Sequence, residues 1–228
     1  TYRVLVTNPG GTATSSGASL TVSLPTTLAQ FTNGLVAYYP FNGNANDESP
    51  NSNNASVYGA TLSTDRHGNA NRSYSFDGTN DYNNAPHHAS HNISGGLTLS
   101  AWVKLDSVGV QQTILTKGNS QSDNYDFYFQ IRPDGGLLYN WRPSPTSLGN
   151  HGVYSGPNTI TAGRWIHVSA THVSGEQPQI YIDGIQQSTT TVRDQSKPRS
   201  FYNQPITIGM DKRGSGDHFI DGKLDDIR

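Results

Sequence analysis

A short polar segment near the first third of the chain brings together side chains that could bind a metal ion. Its residues are Asp77, Gly78, Thr79, Asn80 and Asp81. Carboxylate, amide and backbone carbonyl oxygens are hard donors, and Ca²⁺ takes six to eight of them at about 2.3–2.6 Å. The same residues also suit an ordinary polar turn held by Asx hydrogen bonds. The segment alone therefore leaves a calcium site and a plain turn as alternatives.

A second group of side chains could bind a sugar. Trp141 ends a strand-like run and precedes Arg142 and a proline, so it stands where a strand runs into a loop. Further aromatic and polar residues lie near it in the chain, namely Tyr139, His151 and Tyr154. Aromatic faces suit the C–H faces of sugars, and arginine or histidine can bond the hydroxyl groups. We predict a ligand-binding site of these five residues; the alternative is that Trp141 only covers the sheet edge.

Other residues that could carry chemistry have simpler interpretations. Trp102 and Trp165 lie in alternating apolar segments, which favours packing between two sheets. His87, His88 and His91 have a spacing that a transition metal could use. No fourth ligand is evident for such a metal, so a solvated loop is the favoured interpretation.

The composition excludes several classes of function. The 228-residue chain has a net charge of −2 and a pI near 6.4, so it carries no electrostatic signature of nucleic-acid or anionic-membrane binding. It has no cysteine, which removes disulfides, thiolate nucleophiles and cysteine-ligated zinc. No apolar run approaches the roughly 18 residues of a membrane-spanning helix. The chain opens in a strand pattern without methionine, so we expect a segment of a longer parent protein with neighbouring domains.

Strand patterns dominate the chain from residue 34 onward. Short apolar or alternating segments recur between Asp-Gly turn signals, and no convincing amphipathic helix is present. The predicted strands are 35–41, 56–61, 73–76, 97–105, 113–116, 126–132, 137–141, 165–173, 179–182, 206–209 and 222–228. Many short strands without helices indicate an all-β sandwich or jelly roll.

The N-terminal residues form a separate unit in this prediction. Residues 2–8 and 18–24 alternate on either side of a Pro-Gly-Gly turn, which is a β-hairpin pattern. The hairpin resembles the last two strands of an immunoglobulin-like domain. Tyr2 stands at that family's tyrosine-corner position, and Val4 stands where the family has its second cysteine.

Five ordered motifs in the rest of the chain resemble a bacterial laminin-G-like domain of the concanavalin A-like lectin/glucanase type. They begin at Gly34 (GLVAYYPFNGNAND), Tyr74 (YSFDG), Leu97 (LTLSAWVK), Gly163 (GRWIHVSA) and Ile206 (ITIG, followed by FIDGKLDDIR). The resemblance implies a jelly-roll sandwich of two antiparallel sheets. We therefore divide the chain into a partial immunoglobulin-like domain over 1–24, a linker over 25–33 and a laminin-G-like domain over 34–228.

The same resemblance implies a structural calcium ion. In that fold a frequent calcium site lies where the first loop, the turn after the second motif and the last strand converge. This points to Asp47, to Asp77 with Gly78, and to Asp225 or Asp226. The residues add a weaker argument, because adjacent strand residues such as Asp225 and Asp226 point to opposite faces and the inward one needs a partner. We predict Ca²⁺ as a structural cofactor.

Catalysis is the less favoured function for this chain. A glycoside hydrolase needs two carboxyl groups about 5–5.5 Å or 6.5–9.5 Å apart. Glu48 and Glu176 both lie in polar loops, and the pair Asp123 and Asp126 has no supporting acid. We predict a non-catalytic, secreted or cell-surface recognition module that binds a glycan or polysaccharide, with no nucleic-acid partner and no membrane insertion. A protein-adhesion or spacer domain is the alternative, with a surface protein as partner.

Overall fold

The computed structural model divides into two compact units, residues 1–34 and residues 35–228. The structure describes residues 5–8, 10–14, 16, 33–119, 124–143, 149–213 and 216–228. Within these ranges the helical structure is limited to the 3-10 turn Ala89–His91. None of the described segments forms a helix with the length and hydropathy needed to cross a membrane.

The first unit contains a two-stranded hairpin. Strand β1 (Leu5–Asn8) pairs antiparallel with β2 (Gly11–Thr14). The sequence predicted the turn at Pro-Gly-Gly and the second strand at 18–24, whereas the observed pairing already includes Gly11. The second strand begins earlier than predicted because Gly11 already pairs directly with Asn8.

The immunoglobulin-like assignment of this unit stays a prediction. Tyr2, Val4 and the segment 18–24 lie outside the described residues. The hairpin itself is present, but a hairpin is common to many folds and does not identify the domain that contains it.

The second unit is a sandwich of two antiparallel sheets, as the sequence predicted. The eight-stranded sheet contains β3 (Ser56–Tyr58), β6 (Tyr82–Ala85), β8 (Gln112–Asn119), β9 (Asn124–Ile131), β10 (Leu137–Trp141), β11 (His151–Ser155), β15 (Thr189–Val192) and β16 (Ile206–Ile208). Its spatial order is β15-β11-β10-β9-β8-β16-β6-β3, so that β3 and β15 are its edges.

The other large sheet has seven strands. It contains β4 (Thr61–Ser63), β5 (Ser73–Asp77), β7 (Gly96–Leu105), β12 (Ile166–Val173), β13 (Gln179–Ile182), β14 (Ile185–Gln186) and β19 (Asp221–Asp225). Its spatial order is β14-β13-β12-β7-β19-β5-β4. A small ribbon of β17 (Met210–Asp211) and β18 (His218–Phe219) connects the last strands of the two sheets. This is the jelly-roll class that the sequence indicated.

The hydrophobic core lies between the two large sheets and follows the alternation of each strand. The buried residues of β7 are Leu97, Leu99, Ala101, Val103 and Leu105. Successive side chains of a strand point to opposite faces, so all odd-numbered residues of β7 face the other sheet. Each buried leucine or valine contributes roughly 1.5–3 kcal/mol to folding.

The prediction that Trp102 and Trp165 pack between the sheets is wrong. Trp102 is an even-numbered residue of β7, on the same face as Ser100 and Lys104, and its ring is part-exposed. Trp165 precedes β12 and is also part-exposed, and neither tryptophan belongs to the buried core cluster. The alternation of β7 is regular, so the buried Ala101 and its neighbour Trp102 cannot share a face.

The segment predicted as the first strand, 35–41, is not a strand of either sheet. Tyr39 forms an isolated bridge with Ile227, in which the two backbone N–H groups donate across at 2.8 and 3.1 Å. Pro40 follows and has no N–H to donate, and Phe41 has a φ of 52°. The segment still fixes Tyr38 beside the end of the last strand.

Candidate functional site

A continuous row of polar side chains crosses the outer face of the eight-stranded sheet. Directly paired residues of neighbouring strands lie on the same face of a sheet. The cross-strand pairings give one row, in the order Ser56, Asn84, Thr207, Thr116, Tyr128, Asn140 and Gly152. The row consists of hydroxyl and amide groups with a glycine at its end, and it carries no formal charge.

The centre of this face is closed by a hydrogen-bond network around Tyr128. The phenol oxygen of Tyr128 accepts from Asn140 Nδ2 at 2.5 Å and from Asn150 Nδ2 at 2.7 Å. The guanidinium of Arg213 lies over the same ring, 5.0 Å from its centroid. Asn140 Oδ1 lies against Gly152 and has no hydrogen-bond partner among the described residues. Tyr128 and Asn140 are buried, so they support this part of the face from below and are not available to contact a ligand directly.

The β3 edge of the same face is open. Tyr58 of β3 stands directly opposite Tyr82 of β6, and their rings stack with centroids 4.6 Å apart and planes 13° from parallel. Tyr58 is 47% exposed, and Tyr82 is part-exposed. Ser56 of β3 and Asn84 of β6 each lie two residues along the strand from this tyrosine pair, at a distance of about 7 Å. An exposed aromatic pair beside neutral hydroxyl and amide groups can stack on a sugar ring and bond its hydroxyls.

The structure does not place the five predicted sugar-binding residues on one surface. Trp141, Tyr139, His151 and Arg142 are buried, and only Tyr154 is part-exposed. Trp141 is 0% exposed because the odd-numbered residues of β10 face the core, and its indole N–H donates to the backbone oxygen of Lys197 at 3.1 Å. A fully enclosed indole offers no face to a sugar, so a stacking platform at Trp141 is incompatible with this arrangement.

Trp141 and Tyr139 instead form an internal aromatic cluster with a histidine. The His172 ring lies 4.3 Å from the Trp141 centroid, and its Nδ1 pairs with the Tyr139 hydroxyl at 3.0 Å. Burial lowers the pKa of His172 to about 3, with a further lowering contribution from the positive charge of Arg199. The same loss of water raises the pKa of Tyr139. The cluster is therefore neutral at pH 7 and packs as part of the core.

Tyr154 lies on the outer face with Leu138 and Tyr128, whereas Arg142 approaches a different ring. Arg132 covers the Tyr154 ring at 4.0 Å, and Arg142 lies 5.9 Å from the Tyr125 centroid. Of the predicted set, Tyr154 belongs to the surface that carries the row described above, and the buried Arg142 contacts Tyr125 of the same outer-face cluster.

Asp47, the first predicted calcium ligand, is occupied by hydrogen-bond donors. Its Oδ1 accepts from the backbone N–H groups of Tyr38 and Ser49, both at 2.8 Å. Its Oδ2 accepts from Asn53 N–H at 2.8 Å and from the Ser49 hydroxyl at 2.9 Å. Four donors use the lone pairs that a cation would need. Asp47 therefore shapes the loop after Tyr38.

Asp225 and Asp226 point to the same side, which corrects the prediction that they face opposite ways. Arg66 bridges them, with Nη1 at 2.6 Å from Asp225 Oδ2 and Nη2 at 2.7 Å from Asp226 Oδ2. The cause is the backbone of Asp226, whose φ of 48° ends the strand and rotates its side chain. Tyr38 separates this pair from Asp47, because its N–H binds Asp47 and its hydroxyl donates to Asp226 at 2.6 Å.

The acidic pair lies in an open polar cleft of about 760 Å³ on the side of the seven-stranded sheet. Arg66 covers Asp225 and also lies over the Trp102 ring, 4.8 Å from its centroid. Burial and repulsion from Asp226 raise the pKa of Asp225 to about 6, against the lowering effect of Arg66. The cleft walls include Asn42, Asn69 and Arg72.

The Asp77–Gly78 turn forms local hydrogen bonds. Asp77 is exposed, and its Oδ1 accepts from Thr79 N–H at 2.8 Å and Asn80 N–H at 3.2 Å. These backbone bonds lower the pKa of Asp77. Gly78 adopts a φ of 73°, which glycine accepts without steric cost in such a turn.

The described residues do not fit the predicted calcium ion. Asp47, Asp77 and the Asp225–Asp226 pair each have different partners, and Tyr38 stands between Asp47 and Asp226. Within the described ranges no group of three or more histidine or acidic side chains could hold a metal ion. His87, His88 and His91 therefore do not form a metal-binding group either.

His91 is buried, and desolvation lowers its pKa to about 4.

Sequence reasoning missed Tyr58, Tyr82 and Arg66. The alternation of Tyr82 with Asn83 was a usable signal for β6, since Tyr82 and Asn84 fall on one face and Asn83 and Ala85 on the other. The stacking of Tyr82 on Tyr58 depends on the pairing of β3 with β6, which no local pattern specifies.

Comparison with solved structures shows the fold class. The binding domain of Paraclostridial Mosquitocidal Protein 1 superposes with a TM-score of 0.62 at 17% identity, over 83% of this chain and 47% of that one. The botulinum neurotoxin serotype D binding domain superposes with a TM-score of 0.60 at 16% identity, over 87% of this chain and 48% of that one. A botulinum neurotoxin type C structure superposes with a TM-score of 0.57 at 16% identity, over 80% of this chain and 44% of that one. The chain thus spans about half the length of these structures.

Comparison of the sequence with known families gives a more specific result. None of the curated protein sequences compared with the chain matches it. The family profile described as the Concanavalin A-like lectin/glucanases superfamily matches residues 77–228, from the Asp77 turn to the last residue of the sandwich. Since that match covers most of the chain and both large sheets have the corresponding architecture, the chain belongs to the concanavalin A-like lectin/glucanases superfamily.

Proposed function

We propose that this chain is a non-catalytic carbohydrate-recognition domain of a secreted or cell-surface protein. The observation that carries the proposal is the stacked, exposed pair of Tyr58 and Tyr82 beside the polar row on the outer face of the eight-stranded sheet. A sugar ring would stack on Tyr58, and its hydroxyl groups would bond Ser56 and Asn84. The neutral composition of the row favours uncharged hydroxyl-bearing ligands over anions.

The similar structures support a recognition role. Two of them are binding domains of toxins, and cell entry of botulinum neurotoxin type C depends on interaction with two ganglioside molecules. Those statements concern the toxins. They suggest ganglioside oligosaccharides, which carry anionic sialic acid, as the charged probes to compare with neutral plant and bacterial polysaccharides.

The carboxylates of the described residues support a role without catalysis. Asp225 and Asp226 are both paired with Arg66, and Asp126 is paired with a buried lysine. Glu48 and Glu176 are exposed loop residues. None of these groups forms a free carboxyl pair within the described cleft, which is what a hydrolase would present to its substrate.

A glycan array with the full chain tests the proposal. We expect binding that survives excess chelator, because the predicted calcium ligands are occupied by protein donors. Tyr58→Ala should weaken binding roughly tenfold, which corresponds to a stacking contribution on the order of 1–2 kcal/mol. Tyr181→Ala is the matched control, since Tyr181 is a part-exposed tyrosine on the other sheet.

Each outcome of the array decides between the proposed roles. Glycan binding that Tyr58→Ala leaves unchanged would place the site elsewhere. A folded sample that binds no glycan at all would reject carbohydrate recognition and favour a protein-adhesion or spacer role.

A further inference from the structure

Lys117 is a fully buried cation with an unusual set of neighbours. Its side chain is 0% exposed, and Nζ lies 2.5 Å from Asp126 Oδ2, 2.7 Å from the Tyr202 backbone oxygen and 3.2 Å from Asn92 Oδ1. An amine, a carboxyl group and a carboxamide therefore meet at one point, where Lys117 and Asp126 are buried and Asn92 is part-exposed. Burying the two charged forms together costs free energy that their mutual attraction only partly offsets.

A β-bulge brings Lys117 and Asp126 together. Lys117 of β8 pairs with Phe127 of β9, and the next residue, Gly118, pairs with Tyr125, so Asp126 has no directly opposite residue. Bulges of this kind change the direction of a side chain. Phe127 is a core residue, and its partner Lys117 therefore points between the sheets. Gly118 allows the close approach, with a φ of 115° and its backbone against that of Tyr125.

Asn92 is held over the lysine by the 3-10 turn before it. Its backbone N–H donates to Ala89 O at 3.1 Å, which fixes the residue at the end of the turn Ala89–His91. The adjacent His91 is buried, and desolvation together with the Lys117 charge lowers its pKa to about 4. At pH 7 it is neutral, so it adds no second positive charge beside the lysine.

We propose that Lys117 and Asn92 form an intramolecular isopeptide bond, with Asp126 as the proton carrier. Lys117 Nζ attacks Asn92 Cγ, a C–N bond forms, the Cγ–Nδ2 bond breaks, and the amide nitrogen leaves as ammonia. Asp126 takes a proton from the attacking amine and delivers it to the departing nitrogen. The reaction needs no oxidant, reductant or further substrate, because one amide replaces another.

The environment of the three groups favours this step. A lysine amine is a nucleophile only when it is unprotonated, and removal from water disfavours the charged amine and the charged carboxyl alike. Burial raises the pKa of Asp126, against the lowering effect of Lys117. In the proposed step, transfer of the lysine proton to Asp126, which lies within hydrogen-bond distance, would leave a neutral acid and a free amine in contact with the Asn92 carboxamide.

The bond would join two segments 25 residues apart in the chain. It would fix the loop that contains His87 to His91 on β8, and it would close a loop covalently where the ion pair alone holds it reversibly. Such a link suits a domain that must stay folded outside the cell without disulfides, since the chain has no cysteine.

Intact-mass spectrometry of the full chain tests the proposal. We expect a mass lower than that of the sequence by one ammonia molecule. A tryptic digest should contain a branched peptide that joins Lys117 to Asn92, uncleaved after Lys117. Asn92→Ala should show its full sequence mass; it keeps the Lys117–Asp126 ion pair and is therefore expected to fold.

Two controls separate this bond from other losses of mass. A succinimide at either exposed Asn-Gly sequence, Asn33–Gly34 or Asn42–Gly43, also loses ammonia, but it opens in mild base and disappears in Asn33→Ala or Asn42→Ala. A bond between Lys117 and Asp126 would lose water instead. A native protein with its full sequence mass, a loss that maps to Asn33 or Asn42, or a loss of water would each overturn the proposal.

Discussion

Arg66 and Asp225 form a mostly buried ion pair on the outer side of the seven-stranded sheet. Nη1 and Oδ2 are 2.6 Å apart, and the two side chains are 21% and 4% exposed. The two residues are 159 positions apart in the chain, so the pair joins the loop after β4 to the last strand. The same guanidinium also binds Asp226, so one cation bridges two adjacent carboxylates, and Arg228 Nη2 lies 3.8 Å from Asp226 Oδ1.

Arg66→Met should destabilise the protein by about 2–4 kcal/mol. Breaking one side of a buried pair leaves an uncompensated charge. Here Asp225 would lose its cation beside the negative Asp226, which keeps Arg228 at 3.8 Å and the Tyr38 hydroxyl. Urea unfolding measures the change. Arg164→Met is the control, since its pair with Asp183 is exposed and should be worth about 1 kcal/mol or less. Equal losses in the two variants would show that burial does not strengthen the Arg66 contacts.

The stability contributed by Asp225 should depend on pH. Its folded-state pKa of about 6 exceeds the roughly 3.9 of an unfolded aspartate. The folded state therefore holds the proton more tightly, and this stabilisation is complete below about pH 4 and is lost as the pH rises through about 6. Relative to Asp225→Asn, which does not titrate, the native protein should lose on the order of 1–2 kcal/mol between about pH 4.5 and 7.5. A constant difference across that range would contradict the raised pKa.

Gly152→Ala should be destabilising although it adds one methyl group. The new Cβ would overlap Asn140 Oδ1 and lie 2.5 Å from the Tyr139 backbone oxygen, which cannot move without distorting β10. Overpacking of this kind costs about 1–3 kcal/mol. Gly156→Ala is the matched control, because nothing lies within 4 Å of its added Cβ. Thermal melting of the two variants gives the comparison, and similar midpoints would show that Asn140 moves aside freely.

The sequence predicted the sheets well because strand alternation is a local property. Residues 137–141 and 179–182 were predicted with the bounds that the structure has. Applied residue by residue along β7, the same alternation would have predicted Trp102 on the outer face of the sheet. Along β10 it would have predicted Trp141 in the core, on the same face as Leu137 and Tyr139.

The sites were less predictable because they depend on contacts between distant segments. Asp226 departs from strand geometry at a positive φ, and no sequence pattern specifies that angle for an aspartate. The Arg66 bridge and the Tyr58–Tyr82 stack each need a strand pairing that only the tertiary fold provides.

Removal of divalent cations should leave the melting temperature unchanged, and Asp47→Ala should lower it. Asp47 accepts from the N–H groups of Tyr38, Ser49 and Asn53 and from the Ser49 hydroxyl, so its carboxylate stabilises the loop without a cation. Loss of a buried acceptor leaves these donors unpaired and should cost on the order of 2–4 kcal/mol. Differential scanning calorimetry in calcium and in excess chelator provides the measurement. A midpoint that falls in chelator for the native protein, but not for Asp47→Ala, would show that Asp47 binds a cation after all, with its hydrogen bonds rearranged around it.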